Sequence, residues 1–119
     1  SRFLKEAKPR IETKDTRIQK TLSFIRKKLY EPTDINILSE ITNLSKDHFI
    51  RLFKKEVGTT PLQYINQKKI EKALLITEDM PVKNIAYMLG YEDHSYFIRL
   101  FKKTVGITPL EYRLKFSKV

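Results

Sequence analysis

One segment of sixteen residues occurs twice in this chain, and the repetition constrains the fold more than any other feature. The first copy, FIRLFKKEVGTTPLQY, covers residues 49–64, and the second, FIRLFKKTVGITPLEY, covers residues 97–112. The copies start 48 residues apart. They differ only in the pairs Glu56/Thr104, Thr59/Ile107 and Gln63/Glu111. Such a repeat predicts two copies of one small structural unit in a single chain.

The residues before the first copy have the spacing of two helices. Asp15 and Thr16 form a helix-capping sequence, and the apolar residues that follow at helical spacing are Ile18, Leu22, Ile25 and Leu29. Pro32 ends this pattern, and Thr33 and Asp34 then open a short helix. The residues of that helix that we expect to face inward are Ile37, Leu38 and Ile41.

Around each copy lie the signals that end one helix and begin the next. In the first, a turn at Asn43 leads to the N-cap Ser45, Gly58 ends the helix, and Thr60 and Pro61 begin another. The matching residues of the second are Gly90, Asp93, Gly106, Thr108 and Pro109. A short helix, a tight turn and a capped second helix are the signs of a helix-turn-helix.

These signals predict an all-α fold of about seven helices, in which two helix-turn-helix lobes are joined by a long bridging helix. No segment has the alternating β-branched residues of a strand. We predict a linker or lead-in at residues 1–14, the first lobe at 15–60, the bridging helix at 61–79 and the second lobe at 80–119. The chain starts at Ser1 and not at methionine, so we expect it to be a piece of a longer protein.

The net charge of +10 favours a polyanionic partner, either nucleic acid or an acidic membrane surface. Because the chain has no cysteine, it offers neither disulfides nor thiolate metal ligands, and we expect a cytoplasmic protein. No apolar run approaches the ~18 residues of a membrane span. A basic surface that serves only solubility is the simplest alternative.

The outer faces of the two repeated helices carry the residue types that read DNA. At ~100° per residue, Phe49 and Phe53 cluster on one side of the first helix. The other side holds Asp47, Arg51, Lys54 and Lys55, with Ile50 at its border. The matching face of the second helix holds Ser95, Arg99, Lys102 and Lys103, with Ile98 at its border and His94 in the first turn. Arginine can donate two hydrogen bonds to guanine in the major groove, and isoleucine can contact a thymine methyl.

We therefore predict two kinds of DNA contact from these faces. Base edges are the predicted targets of the isoleucine–arginine pairs, Ile50 with Arg51 and Ile98 with Arg99. Phosphates are the predicted targets of residues near the ends of the helices, namely Ser45, Lys46, Lys54, Lys55, Lys102 and Lys103. The alternative is a set of solvated surface cations. Repetition at matched positions argues against it for the arginines, and for Lys54 and Lys55 it stays open.

The repeat also predicts the geometry of a DNA site. A helix over residues 61–77 is ~26 Å long at ~1.5 Å per residue, and successive major-groove faces lie ~34 Å apart. A bridging helix with a lobe at each end therefore suits two recognition helices in adjacent major-groove segments. Because the lobes are repeats in one chain, we expect a single chain to bind a non-palindromic site of ~20 base pairs.

The second lobe carries the more specific family motif. Its residues are Ile85-Ala86, Gly90-Tyr91, Asp93, Ser95-Tyr96-Phe97, Arg99, Phe101-Lys102-Lys103, Gly106, Thr108-Pro109 and Tyr112-Arg113. With them, the chain resembles over about residues 16–114 the DNA-binding domain of the AraC/XylS family of bacterial transcription regulators. The resemblance implies a homeodomain-like, AraC-type fold and sequence-specific binding of double-stranded DNA, with the second helix of each lobe in the major groove.

The resemblance also implies which residues face the bases. They are Asp47, Ile50 and Arg51 in the first lobe and His94, Ser95, Tyr96 and Arg99 in the second. Asp47 can accept from cytosine N4 or stabilise the helix N-terminus, and both roles stay open. Besides DNA, we expect RNA polymerase and an upstream sensing or receiver domain as partners. Asn43 and Lys69 depart from the family, which often has glycine and arginine at these positions.

An enzyme and a protein-interaction bundle are the other interpretations. His48 and His94 are the only histidines, and neither lies in a catalytic or metal-ligand spacing. We therefore predict no catalytic residue, no metal site and no cofactor; a recombinase module is the least implausible enzymatic version. An interaction bundle has no reason to repeat Ile-Arg-x-x-Lys-Lys on both outer faces. Membrane-surface helices need an exposed apolar stripe, which these helices need for the core.

Overall fold

Seven α-helices make up the part of the chain that this computed structural model describes, residues 13–75 and 80–116. They are α1 (Thr16–Lys27), α2 (Ile35–Thr42), α3 (Lys46–Val57), α4 (Pro61–Leu75), α5 (Val82–Met88), α6 (His94–Val105) and α7 (Pro109–Phe116). No strand occurs within these ranges, so the predicted all-α fold is confirmed. Most of the predicted linker, the end of the predicted bridging helix and the last three residues lie outside the described residues.

The described helices divide into two compact units, each with an apolar core of its own. The first unit contains residues 13–29 and 33–66, and the second contains residues 30–32, 67–75 and 80–116. The first core consists of Ile18, Leu22, Ile25, Leu29, Leu38, Phe49, Phe53, Tyr64 and Ile65. The second consists of Ile70, Ala73, Leu74, Ile85, Ala86, Leu89, Tyr91, Phe97, Phe101 and Tyr112. Each unit thus contains one helix-turn-helix, α2–α3 or α5–α6, and α4 contributes to both cores.

An aromatic triad from the repeated segment lies in the core of each unit. In the first unit the ring centroid of Phe53 lies 5.9 Å from that of Phe49 and 5.7 Å from that of Tyr64. The matching distances in the second unit are 6.0 Å for Phe97–Phe101 and 5.9 Å for Phe101–Tyr112. The repeat in the sequence therefore appears as a repeat in the packing, with tilted and edge-on rings that aromatic pairs prefer.

The predicted helix caps are confirmed at the starts of α3 and α6. The Ser45 hydroxyl and the Asp93 carboxylate each accept a hydrogen bond from a backbone N–H of the first turn, at 3.2 and 2.9 Å respectively. Asp15 and Asp34 cap α1 and α2 in the same way. Such a cap stabilises a helix by ~1 kcal/mol and fixes its first residue.

The helices that follow α3 and α6 begin with reciprocal caps. In α4 the Thr60 hydroxyl accepts from the Gln63 backbone N–H at 3.3 Å, while the Gln63 side chain accepts from the Thr60 N–H at 3.2 Å. In α7 Thr108 and Glu111 make the same two bonds, each at 3.1 Å. This is the capping-box arrangement, and it is formed in both units although one partner is an amide and the other a carboxylate.

The prediction for the inner face of α2 was wrong at one residue. Ile37 is 43% exposed, whereas Leu38, Ser39 and Thr42 are buried and Ile41 is half-buried. Burial of the two hydroxyl residues is not penalised, because each donates to a carbonyl within the helix: Ser39 to Asn36 at 2.9 Å and Thr42 to Ser39 at 2.7 Å. A hydrophobic pattern alone does not register such self-satisfied polar residues.

The turns of the two helix-turn-helix units differ in length. In the first, the left-handed residue Asn43 (φ 56°) is separated from the N-cap by one residue. In the second, Gly90 (φ 86°) is separated from its N-cap by two residues. A Cβ on Gly90 would lie 2.5 Å from the carbonyl carbon of Glu31 and 2.7 Å from the backbone nitrogen of Pro32. Only glycine therefore fits the second turn, on grounds of both conformation and space.

A lysine is buried in the interior of the second unit. Lys69, on α4, is 2% exposed, and its Nζ donates a hydrogen bond to the Glu31 carbonyl oxygen at 2.7 Å. The same Nζ lies 5.1 Å from the centroid of the Tyr91 ring. Burial lowers the pKa of Lys69 from its ordinary 10.5 to about 8, because the charged form loses hydration.

Alanine substitution of two glycines separates conformation from close approach. Gly58 and Gly90 both have positive φ, 98° and 86°, but a Cβ on Gly58 would meet nothing within 4 Å. We expect Gly90→Ala to lower the free energy of unfolding by ~1–3 kcal/mol more than Gly58→Ala does, because an overpacked backbone contact must also be relieved. Urea unfolding measures both values. Equal losses would show that the contact with Glu31 is relieved at no cost.

The lowered pKa of Lys69 predicts a pH dependence of stability. Between pH 8 and 10.5 the unfolded chain keeps the Lys69 proton and the folded chain releases it. The unfolded state then binds more protons, so the free energy of unfolding rises with pH across this window, and below it Lys69 adds no pH dependence. Other titrating groups are common to wild type and Lys69→Met. We expect the free energy of unfolding of the wild type to rise relative to that of Lys69→Met from pH 8 to 10.5. A difference between the two proteins that stayed constant over this range would contradict the prediction.

Candidate nucleic-acid interface

Helices α3 and α6 turn an apolar face to their cores and leave most of the predicted DNA-facing residues on the surface. Phe49 and Phe53 are 0% exposed, and Phe97 and Phe101 are 1% and 2% exposed. The predicted residues that are exposed are Ser45, Lys46, Asp47, Arg51, Lys54 and Lys55 in the first unit and Ser95, Tyr96, Arg99, Lys102 and Lys103 in the second. Each helix therefore presents a polar, mainly basic face, with Arg51 and Arg99 at matching positions.

Three of the predicted base-facing residues are half-buried: Ile50, Ile98 and His94. Each isoleucine packs against the core of its own unit. Only part of each isoleucine side chain is therefore available to a ligand.

The start of α3 combines the N-cap Ser45, the cation Lys46 and the acid Asp47. The Ser45 oxygen is engaged as an acceptor in the cap, but its proton remains available to a phosphate oxygen, since a hydroxyl can donate and accept at once. Asp47 lies in this first turn, where a negative charge stabilises the positive end of the helix dipole. Lys54 and Lys55 lie in the last turn of the same helix, at the negative end. The helix itself thus favours this distribution of charge.

The second unit has an aromatic cluster beside its outer face. The ring of Tyr87, on α5, meets the His94 imidazole edge-on, with ring centroids 6.3 Å apart and an interplanar angle of 84°. The Nζ of Lys83 lies 5.9 Å from the centroid of the Tyr87 ring. Tyr87 and Tyr96 are 47% and 42% exposed. The surface of this unit therefore continues from α6 onto α5.

Tyr87 and Lys83 were missed in the sequence analysis, which considered only the second helix of each lobe. A signal was present, because residues four apart share a face of a helix. Both side chains are exposed and lie on the side of α5 away from the buried Ile85. Their closeness to His94 depends on the angle between α5 and α6, which no local pattern specifies.

The described residues contain no group of three or more histidine, cysteine, aspartate or glutamate side chains that could hold a metal ion. Within the same ranges, no helix has the length and apolar character needed to cross a membrane.

Comparison with known proteins identifies relatives over more than half of the chain. A family model described as a helix-turn-helix domain matches residues 38–115. The MmsAB operon regulatory protein of Pseudomonas aeruginosa is 38% identical over 76 residues, which are 62% of this chain. The chain spans about a quarter of that relative's length, 25%.

Solved structures share the fold. The C-terminal domain of the two-component response regulator yesN from Fusobacterium nucleatum is 34% identical, with a TM-score of 0.76 over 80% of this chain and 95% of that one. The DNA-binding domain of AdpA, a global transcriptional factor solved in complex with a target DNA, has a TM-score of 0.78 over 83% of this chain and 91% of that one. At 23% identity, the second likeness is one of fold alone.

Proposed function

This chain belongs to the AraC family of bacterial transcription regulators, as a DNA-binding helix-turn-helix domain, and on that premise we propose that it binds a specific double-stranded sequence through α3 and α6. The observation that carries the proposal is the matched, exposed placement of Arg51 and Arg99 on two capped helices whose other faces are buried. A rigid helix with an outward arginine suits bidentate recognition of guanine in the major groove.

The residues around each arginine supply the remaining base contacts in this proposal. Beside Arg51, the exposed part of Ile50 is available to a thymine methyl, and Asp47 to a cytosine amino group. Around Arg99 the proposed base-facing residues are His94, Ser95, Tyr96 and Ile98. The different side chains imply that the two helices read different sequences.

Phosphates are the proposed partners of the flanking polar residues. Ser45 and Lys46 lie at the start of α3, and the exposed lysine pairs lie in the last turns of α3 and α6. These pairs are Lys54 with Lys55 and Lys102 with Lys103. The net charge of +10 supports a large electrostatic contribution to affinity and a strong dependence on salt.

Both recognition helices are proposed to occupy adjacent major-groove segments of one non-palindromic site of ~20 base pairs. The tandem arrangement of the repeat within one chain supports this, because a single chain then carries two probes without a two-fold axis. A palindromic site bound by a dimer of this chain is the alternative that site selection from a random duplex library would reveal.

We further propose that the chain is the output domain of a larger, signal-responsive, cytoplasmic regulator that contacts RNA polymerase. Support comes from its coverage of only 25% of the Pseudomonas relative and its likeness to a domain described as C-terminal in a response regulator. The family consists of transcription regulators, so the chain is not an enzyme.

Loss of either arginine should weaken specific binding. We expect Arg51→Ala and Arg99→Ala each to reduce affinity for a selected duplex by ~1–3 kcal/mol and to relax the base preference at one end of the site only. Fluorescence anisotropy with the selected duplex and single-base variants measures both effects. Arg26→Ala, at an exposed position of α1, is the matched control and should bind like wild type. If Arg51→Ala and Arg99→Ala both bound the selected duplex like wild type, the assignment of these arginines to base contacts would be wrong.

Loss of a phosphate contact should act on every sequence alike. We expect Lys54→Ala and Lys102→Ala to weaken specific and random duplexes to a similar extent and to reduce the slope of log affinity against log salt by about one unit. Lys20→Ala, exposed on α1, is the control and should leave the slope unaltered. A slope that stayed at the wild-type value would remove that lysine from the phosphate set.

A further inference from the structure

The environment of Lys69 connects the interior of the second unit to its outer face. The Lys69 ammonium is bonded to the Glu31 carbonyl at 2.7 Å and faces the Tyr91 ring at 5.1 Å. The same Glu31 backbone lies against Gly90, since a Cβ there would come within 2.6 Å of that carbonyl oxygen. Lys69 and the backbone of Gly90 therefore both lie against the Glu31 peptide, which brings the turn before α6 next to the bonded ammonium.

Tyr91 connects this part of the second unit to the first turns of α6. Its ring centroid lies 5.4 Å from that of the core residue Phe97 and 6.0 Å from that of Tyr96. Tyr91 is 9% exposed, and burial raises the pKa of its phenol above the ordinary value of 10.0. Tyr96 is 42% exposed on the outer face. A continuous line of contacts thus runs from a buried cation to an exposed aromatic ring on α6.

The first unit has no equivalent of this arrangement. The residue 48 positions before Lys69 is Thr21, which is buried and donates its hydroxyl to the Arg17 carbonyl at 3.0 Å. The residue 48 positions before Tyr91 is Asn43, the left-handed residue of the shorter turn. A buried charge is unfavourable unless it is paired or bonded, and a threonine or an apolar residue would fill the core without that penalty. The second unit therefore has a lysine where packing alone does not require one.

We propose that Lys69 is a positioning residue for DNA recognition by the second helix: through the Glu31 carbonyl and the Tyr91 ring it sets the place of Tyr96 on the outer face of α6. This inference rests on the proposed DNA-binding function and deepens it. It assigns to α4 a part in sequence reading although Lys69 itself touches no DNA. Its effect is confined to the end of the site that α6 reads.

Half-site discrimination tests the proposal. Binding affinity is measured for wild type, Lys69→Met, Lys69→Arg and Thr21→Val. Each protein is tested on a labelled duplex selected from a random library, on the same duplex with only one half scrambled, and on the same duplex with only the other half scrambled. We expect Lys69→Met to lose about tenfold in affinity for the selected duplex and to lose the same factor of its discrimination against the duplex scrambled in the half read by α6. Its discrimination in the other half and its salt slope should stay at wild-type values. Lys69→Arg, which keeps the charge and the donors, should restore discrimination, and Thr21→Val should leave the α6 half unaffected.

The variant Tyr91→Leu tests the same line of contacts with Lys69 intact and should show the same selective loss. The proposal would be overturned if discrimination against scrambling fell equally in both halves of the site. It would also be overturned if a folded Lys69→Met discriminated like wild type. Failure of both Lys69→Met and Tyr91→Leu to fold would assign the pair to stability alone and would also overturn it. Urea unfolding and circular dichroism establish which variants are folded.

A measurement without DNA separates the inference from the proposed function. In amide NMR spectra, Lys69→Met should shift the signals of residues 91–97 and leave those of residues 46–49 in place. Unshifted signals at 91–97 would overturn the positioning role whatever the DNA data show. Equal binding of wild type to intact and scrambled duplexes would instead overturn the proposed sequence-specific function.

Discussion

Burial of two phenylalanines, one turn apart, on each recognition helix is the constraint on which the interface depends. Phe49 and Phe53 are fully buried in the first unit. The period of the α-helix then determines on which face of α3 each residue between and beyond them lies. Arg51 must then lie on the surface. A tyrosine from the following helix closes each phenylalanine pair, so the orientation of the outer face is fixed by the core behind it. The placement of the proposed DNA-facing residues is thus specified by apolar packing.

Local rules were sufficient for the helices, the caps and the repeated cores. Ser45 and Asp93 cap their helices because a short polar side chain can reach a free backbone N–H, which depends only on neighbours in sequence. Ile37 was misplaced because hydrophobicity alone does not register the internal hydrogen bonds of Ser39 and Thr42. The burial of Lys69 could not be predicted, since its partner is a main-chain carbonyl 38 residues away. Contacts of that separation depend on how helices cross, which no local pattern records.

The two units share a segment but differ in what supports it. The aromatic triads are alike within a few tenths of an ångström, whereas the turns differ by one residue and only the second contains Tyr91 against a lysine. The outer faces differ accordingly: α3 begins with Lys46 and Asp47, and α6 begins with His94, next to the ring of Tyr87. The two units therefore share the packing of the repeated segment but differ in the turn beside it, and the outer faces of α3 and α6 carry different side chains. That combination is suited to a DNA site whose halves are unlike.

The capping boxes of α4 and α7 differ in a way that depends on pH. Gln63 closes the first box with an amide, which has no proton to gain, whereas Glu111 closes the second with a carboxylate. The hydrogen bond from the Thr108 backbone N–H lowers the pKa of Glu111, so this bond is assisted by the carboxylate charge at neutral pH and loses that assistance as pH falls through the lowered value. In acid the neutral carboxyl group can still accept through its carbonyl oxygen, as the Gln63 amide does at every pH. The two capping boxes therefore differ near neutral pH, where only the start of α7 has a charged acceptor, and become alike in acid.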